Sequence, residues 1–164
     1  MVKYDYVKTR REDVRPIDAK QVPTVRFFMR WITKLNVGVF RLTKGRVMNK
    51  FIGGYPVCIV TTKGAKTGKI RRIALIHLPH GENNLLVASQ GGMPNNPVWY
   101  HNIVAHPEIQ IMAGGEEKTY RARQIDDEEK AALWPHLLSL YPDFDEYQAR
   151  TDRNIPVFSC EPIR

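Results

Sequence analysis

Residues 56–89 read PVCIVTT, KGAKTGK, IRRIALIHL, PHGENN and LLVAS in succession. The first, third and fifth pieces are short, mostly apolar and rich in Val, Ile and Leu, a composition that packs well on a pleated surface. The pieces between them carry Gly64, Gly68, Pro79, Gly81, Asn83 and Asn84, residues that favour reversal of the chain. Three short strands joined by tight turns predict an antiparallel meander.

The pattern continues downstream. Gly91, Gly92, Pro94, Asn95, Asn96 and Pro97 make a loop, and Pro97 suits the first turn of a short helix carrying Val98, Trp99, Ile103 and Val104. Pro107 ends that helix. EIQIM and KTYRARQI then pair around Gly114 and Gly115 as a hairpin. Asp126, with Glu129 three residues on, resembles a capping box and opens a helix through Ala131, Leu133, Trp134, Leu137, Leu138 and Leu140. Pro142 breaks it before a short helix around Tyr147, and IPVFSCEPI supplies a last strand. Many short antiparallel strands with helices at the ends give an α+β class, a small, partly open β-barrel with helical additions.

Upstream, residues 1–22 carry charge without periodicity and read as a mobile arm, leaving 23–164 as a single domain. From Thr24, a good N-cap, Phe28, Trp31, Ile32, Leu35, Val39 and Leu42 recur at helical spacing among Arg26, Arg30, Lys34 and Arg41. The amphipathic basic helix over 24–44 covers one side of the core in the plainer reading and touches a membrane surface in the sharper one. The N-terminus has no apolar segment or cleavage site of a secretory signal, and no window is apolar enough to span a bilayer, so the expected compartment is the cytoplasm. Cys58 and Cys160 both fall in strands. Two buried thiols are expected there, with a single disulfide as the alternative.

The net charge of +8 matters less than its placement. No Asp or Glu stands between Asp18 and Glu82, an interval that holds thirteen Lys and Arg. Such a one-signed stretch attracts anions. Its centre is the turn Lys63-Gly64-Ala65-Lys66-Thr67-Gly68-Lys69, followed by Arg71. This is no phosphate-binding P-loop, because the second glycine comes one position early and Ile70 stands where Ser or Thr is needed. Its glycines still let backbone N–H groups approach an anion, with Lys66 and Arg71 supplying charge. Taken alone, an ordinary charged turn explains it as well.

Two more segments carry chemistry. Ala88-Ser89-Gln90-Gly91-Gly92 follows an apolar strand, with Pro97 and Trp99 just beyond, and offers open backbone for a flat heterocycle and a hydroxyl at its edge. Tyr141, Phe144 and Tyr147 are spaced three apart, on one helical face, where they pack into the core or cover a flat ligand. Their phenols would donate the proton that must accompany a hydride. His77 with His80 and His101 with His106 have no Cys or carboxylate at ligand spacing, so no metal is expected. No nucleophile elbow supports hydrolysis.

Taken in order, PVCIVTTKGAKTGKIRRIAL, LLVASQGG, NPVWYHNIVAHPEIQI, ARQIDDEEKAALWP and LYPDFDEYQARTDRNIPVFSCEP resemble the deazaflavin-dependent nitroreductase family of actinobacteria from about residue 56 to 162. The resemblance implies a split β-barrel, the deazaflavin coenzyme F420, and hydride transfer to an organic acceptor such as a quinone, an enone or a nitroaromatic. It implies that Lys66, Thr67, Lys69 and Arg71 hold the coenzyme's phosphate and acidic tail. Its ring would then lie against Ala88, Ser89, Gln90, Gly91, Gly92, Pro97 and Trp99. Tyr141, Phe144, Tyr147 and Ile76 would border the acceptor, with Ser89, Tyr141 and Tyr147 as catalytic groups. Phe144 stands where the family's best-known nitroimidazole-reducing member has Tyr, Ala65 where Arg is frequent, and Ile76 where Tyr can occur. These departures leave coenzyme binding intact and speak against nitroimidazole activation. Competing readings are the same barrel with flavin mononucleotide and a basic module for nucleic acid or anionic membrane. Against that last reading, the aromatics are not interleaved with the basic run, so no nucleic acid is expected. Small split barrels often pair, so a homodimer is expected.

Overall fold

The computed structural model describes residues 4–15, 37–40, 42, 43, 50, 51 and 53–164. Most of the basic helix expected over 24–44, with its membrane-facing reading, lies outside the described residues. Residues 37–40 and 42 are helical, with Phe40 buried and Leu42 exposed.

Seven strands form one sheet: β1 (Val57–Lys63), β2 (Ile70–Ile76), β3 (Leu78–His80), β4 (Asn83–Val87), β5 (Glu108–Ala113), β6 (Glu116–Gln124) and β7 (Val157–Pro162). Their order is β2-β1-β5-β6-β7-β4-β3, every neighbouring pair antiparallel. One correction concerns IRRIALIHL, which the sequence presents as one strand pairing on both sides. It is instead two strands on opposite edges of the sheet, β2 on β1 and β3 on β4, joined through the single residue His77. Edges linked by one residue must lie side by side, so the sheet curls into a barrel left split along that seam. His77 N–H donates to Pro56 O at 2.8 Å and fixes the bend.

Side chains alternate between two cores, as the period of a strand requires. Cys58, Val60, Leu86, Ile109, Ile111, Tyr120, Phe158 and Cys160, from five strands, meet in one cluster, the way residues on a concave face converge. Helix α1 (Val98–Ala105) closes that cluster with Trp99 and Ile103. Leu78, Leu85, Val87 and Val157 point the other way, where α2 (Asp127–Leu140) and α3 (Asp143–Arg150) cover them with Trp134, Leu137, Tyr141 and Phe144. Each such side chain contributes roughly 1.5–3 kcal/mol by leaving water.

The cap of α2 forms as its sequence announces, Asp126 Oδ1 accepting from Glu129 N at 2.8 Å. The box is not reciprocal, because Glu129 turns its carboxylate to Arg123. Cys58 and Cys160 are free and buried, and burial pushes both thiols up to about 12. Their strands β1 and β7 are not neighbours in the sheet. Over its described residues 4–15, the expected arm lies against α2 and α3. Tyr6 stacks on Trp134 with ring centroids 5.1 Å apart, and Lys8 and Thr9 bond to Asp145.

Candidate active site

The β1–β2 hairpin closes at Lys63 opposite Ile70, with Gly64 N donating to Lys69 O and Gly68 N to Gly64 O, both at 2.8 Å. Gly68 has φ +64°, a conformation other residues adopt only with strain. Lys66, Thr67, Lys69 and Arg71 are all exposed, and among the described residues none of them pairs with a carboxylate. Concentrated, unpaired positive charge on a hairpin tip is a field for an anion.

One buried side chain ties this tip to the rest of the molecule. Asn102, in α1, accepts from Ala65 N at 3.0 Å and donates to Thr62 Oγ1 at 3.2 Å. Thr62 is the cross-strand partner of Arg71, and directly opposed residues share a sheet face. Arg71 therefore rises on the α1 side. Because α1 begins at Val98, just after the glycine loop, Asn102 sits only about 6 Å along the axis from that loop's end.

The glycine loop leaves β4 at Ala88 and forms a 3₁₀ turn at Gln90–Gly92. Two arginines hold its carbonyls from one side. Arg153 donates to Met93 O at 2.8 Å, Asn96 Oδ1 at 2.7 Å, Ala88 O at 2.9 Å and Ser89 O at 2.7 Å. Arg150 donates to Gly91 O at 2.8 Å. Burial pushes Arg153 down to about 10, still charged at neutral pH. The glycines differ in what they face. A Cβ on Gly92 would stand 2.6 Å from Tyr147 O, whereas one on Gly91 would meet nothing within 4 Å. The loop thus has one side closed on α3 and one side open, and the leading N–H groups of a short helical turn have no acceptor within it. The open side at Gly91 and the unpaired cations of the hairpin are the two features here that could receive a ligand.

Not every expected residue contributes directly. Ala88 is fully buried, its N–H given to Pro156 O and its carbonyl to Arg153. Trp99 packs on Phe158 and Pro97 is buried, so these three shape the loop from beneath. Ser89 Oγ makes no hydrogen bond among the described residues, and Gln90 is half-buried with its amide on Met93 Sδ.

Tyr141, Phe144 and Tyr147 come together with Ile76 and Tyr55 in the second core. Their rings interlock, Tyr141 to Phe144 at 4.8 Å and Phe144 to Tyr147 at 6.4 Å between centroids. The Tyr141 and Tyr147 hydroxyls lie 3.1 Å apart. Tyr141 is buried, and burial together with the Tyr147 contact raises its pKa further above the usual phenol range. Tyr147 is partly exposed and is the less buried residue of the pair.

A family model described as F420H(2)-dependent quinone reductase matches residues 31–162. The chain belongs to this family. It is a family of oxidoreductases whose coenzyme is F420. An F420H(2)-dependent quinone reductase of Mycobacterium tuberculosis is 34% identical over 129 residues, 77% of this chain and 87% of the relative. The solved F420H2-dependent reductase FDR-A is 38% identical with a TM-score of 0.61, covering 65% of this chain and 94% of its own. A second solved structure, described as a domain-swapped dimer, is 32% identical with a TM-score of 0.64, covering 80% and 98%.

Sequence reasoning passed over Asn102 and Arg153. Asn102 was detectable as a polar residue on the helical face of Trp99 and Ile103. Arg153 carried no such mark, because its acceptors are backbone carbonyls some sixty residues away.

Proposed function

We propose that this chain takes a hydride from reduced F420 and delivers it to a quinone. Enones and nitroaromatics are further acceptors of the same type, and Phe144 removes one of three phenols from the acceptor side. The observation that carries the reading is Asn102: through one turn of α1 it joins an unpaired cationic hairpin to a loop with an open face, the pairing of sites that a polyanionic flat coenzyme needs.

When bound, the coenzyme supplies the hydride, and the chain's own residues supply position and a proton. Lys66, Lys69 and Arg71 bind the phosphate and acidic tail. The open side of Gln90 and Gly91, held by Arg153, orients the ring. Hydride adds two electrons and one proton to a quinone, so one more proton is required to reach the hydroquinone. Tyr147, backed by Tyr141, or the free hydroxyl of Ser89 donates it. The dimeric relative supports self-association of this chain as well, which sedimentation would measure.

The test mixes the protein with reduced F420 and a panel of quinones, enones and nitroaromatics, following coenzyme oxidation by absorbance. Quinone-dependent oxidation is expected, and oxidation no faster than in buffer with every acceptor would overturn the proposal. Tyr147→Phe should lower kcat about tenfold or more while leaving coenzyme affinity unchanged.

A further inference from the structure

The segment that precedes the family's matched stretch is not idle. The family model begins at residue 31, whereas residues 4–15 lie against α2 and α3 and make specific bonds there. Their focus is Asp145. That carboxylate accepts from Lys8 N at 3.2 and 3.0 Å, from Thr9 N at 2.6 Å, from Thr9 Oγ1 at 2.7 Å and from Trp134 Nε1 at 2.9 Å. Asp145 is buried, with a residue exposure of 6%. Without Lys8 and Thr9, the donor left to it among the described residues would be Trp134 alone, and a buried carboxylate so poorly partnered is costly. Burial raises the Asp145 pKa, but bonds from Trp134 and Thr9 outweigh it and hold the group below the usual carboxylate range.

Asp145 sits in α3 between Phe144 and Tyr147, two members of the aromatic trio. Just beyond Thr9, Arg11 pairs with Asp152, two positions past the C-terminal end of α3. Tyr4 and Tyr6 complete the contact, their rings 5.4 and 5.5 Å from Lys130 Nζ. Among the described residues, no hydrogen bond or ion pair joins the cationic hairpin or Asn102 to these groups.

We propose that residues 4–9 are a positioning strap for the acceptor side of the site, with Thr9 acting through Asp145 to set α3 and the Tyr141–Tyr147 phenol pair. Acceptor use depends on the strap more than coenzyme affinity does, because Asp145 lies between Phe144 and Tyr147 whereas α3 reaches the glycine loop through Tyr147 O and Arg150, nearer its other end. The inference rests on the reading above that these aromatics border the acceptor.

Three full-length proteins test it: wild type, Thr9→Val, which removes one donor at nearly constant volume, and Thr9→Ser, which restores it. Hydrogen exchange of the 143–150 amides, measured without coenzyme or acceptor, should accelerate in Thr9→Val and return in Thr9→Ser. With a water-soluble 1,4-naphthoquinone, the acceptor KM of Thr9→Val should rise about tenfold, as expected for loss of a charge-assisted hydrogen bond. The Kd for F420, from fluorescence titration, should stay within about twofold. Asp145→Asn, measured the same way, should reproduce the Thr9→Val pattern. Unchanged exchange in α3, an unchanged acceptor KM, or a parallel loss of F420 binding would each overturn the strap. If wild type turns over no acceptor, the proposed function fails on its own, and the exchange experiment still decides whether the strap sets α3.

Discussion

The guanidinium of Arg153 meets the carbonyl of Ser89 at 2.7 Å across 64 positions of sequence. With its bonds to Ala88, Met93 and Asn96, this makes Arg153 the fastener of the loop proposed to carry the coenzyme ring. Arg153→Met would take the guanidinium donor from Ala88 O, Met93 O and Asn96 Oδ1 and leave Ser89 O with Gly92 N–H alone, and should cost about 2–4 kcal/mol of stability. Arg153→Lys, a point donor in place of a fork, should recover only part of it. Thermal melts check the stability, and F420 titration should show weaker binding in both variants.

Gly91 and Gly92 have similar backbone angles, φ +66° and +77°, yet opposite surroundings. Gly91→Ala should cost about 1 kcal/mol, the penalty for a side chain in the left-handed region. Gly92→Ala adds a collision with Tyr147 O and should cost about 2–4 kcal/mol. Equal melting temperatures for the two variants would refute the assignment of a closed and an open side. If the ring lies on the open side, Gly91→Ala should nevertheless be the one that weakens F420 binding while the fold stays intact.

Asn102 donates and accepts in the same buried place. Asn102→Ala removes both bonds and should weaken F420 binding about tenfold through a loosened hairpin. Asn102→Asp keeps the acceptor for Ala65 N, loses the donor to Thr62 and adds negative charge beside Lys66 and Arg71. Its F420 affinity should therefore fall below that of the alanine variant at low salt, with the gap narrowing as salt rises.

Lys66→Ala removes an exposed, unpaired cation. Coenzyme affinity should drop, and its dependence on salt should become shallower than in wild type. A titration series at increasing sodium chloride measures both.

Lys130 is buried, and burial pulls its pKa down to about 7 although its ammonium donates to Gln148, Asn154 and Ile155. In the unfolded chain a lysine keeps its proton to about pH 10.4. Between those values the unfolded state binds more protons, so stability rises with pH through that window. The cysteines act in the opposite sense only above about pH 8.5, where unfolded thiols begin to ionise. Over pH 7 to 8.5, wild type should gain up to about 2 kcal/mol relative to Lys130→Met. Parallel denaturation curves at each pH would contradict this.

Much of the fold was legible because its causes are local. The strand period, the glycine turns and the Asp126 cap each act within a few residues, and the elements stand where those patterns put them. The break at His77 was not legible. IRRIALIHL has the composition of one strand, and only the closing curvature of the sheet decides that its two ends belong to opposite edges. The candidate site divides in the same way. Lys66, Gly91 and Tyr147 announce themselves by type and spacing, whereas Arg153 and Asp145 look like ordinary charged residues until their partners are known.

The order of the sequence alone determined the set of strands and helices, the placement of unpaired positive charge on one hairpin, and the membership in an F420-dependent family. Tertiary structure decided which side of the glycine loop is open, what fastens it, and that a segment outside the matched stretch grips the aromatic helix. The physical reason is distance along the chain. Capping and periodicity are settled between neighbours in sequence, but the contact between Thr9 and Asp145 spans 136 positions. Such a bond has no local signature, and it exists only once the packed sheet has brought the two ends together.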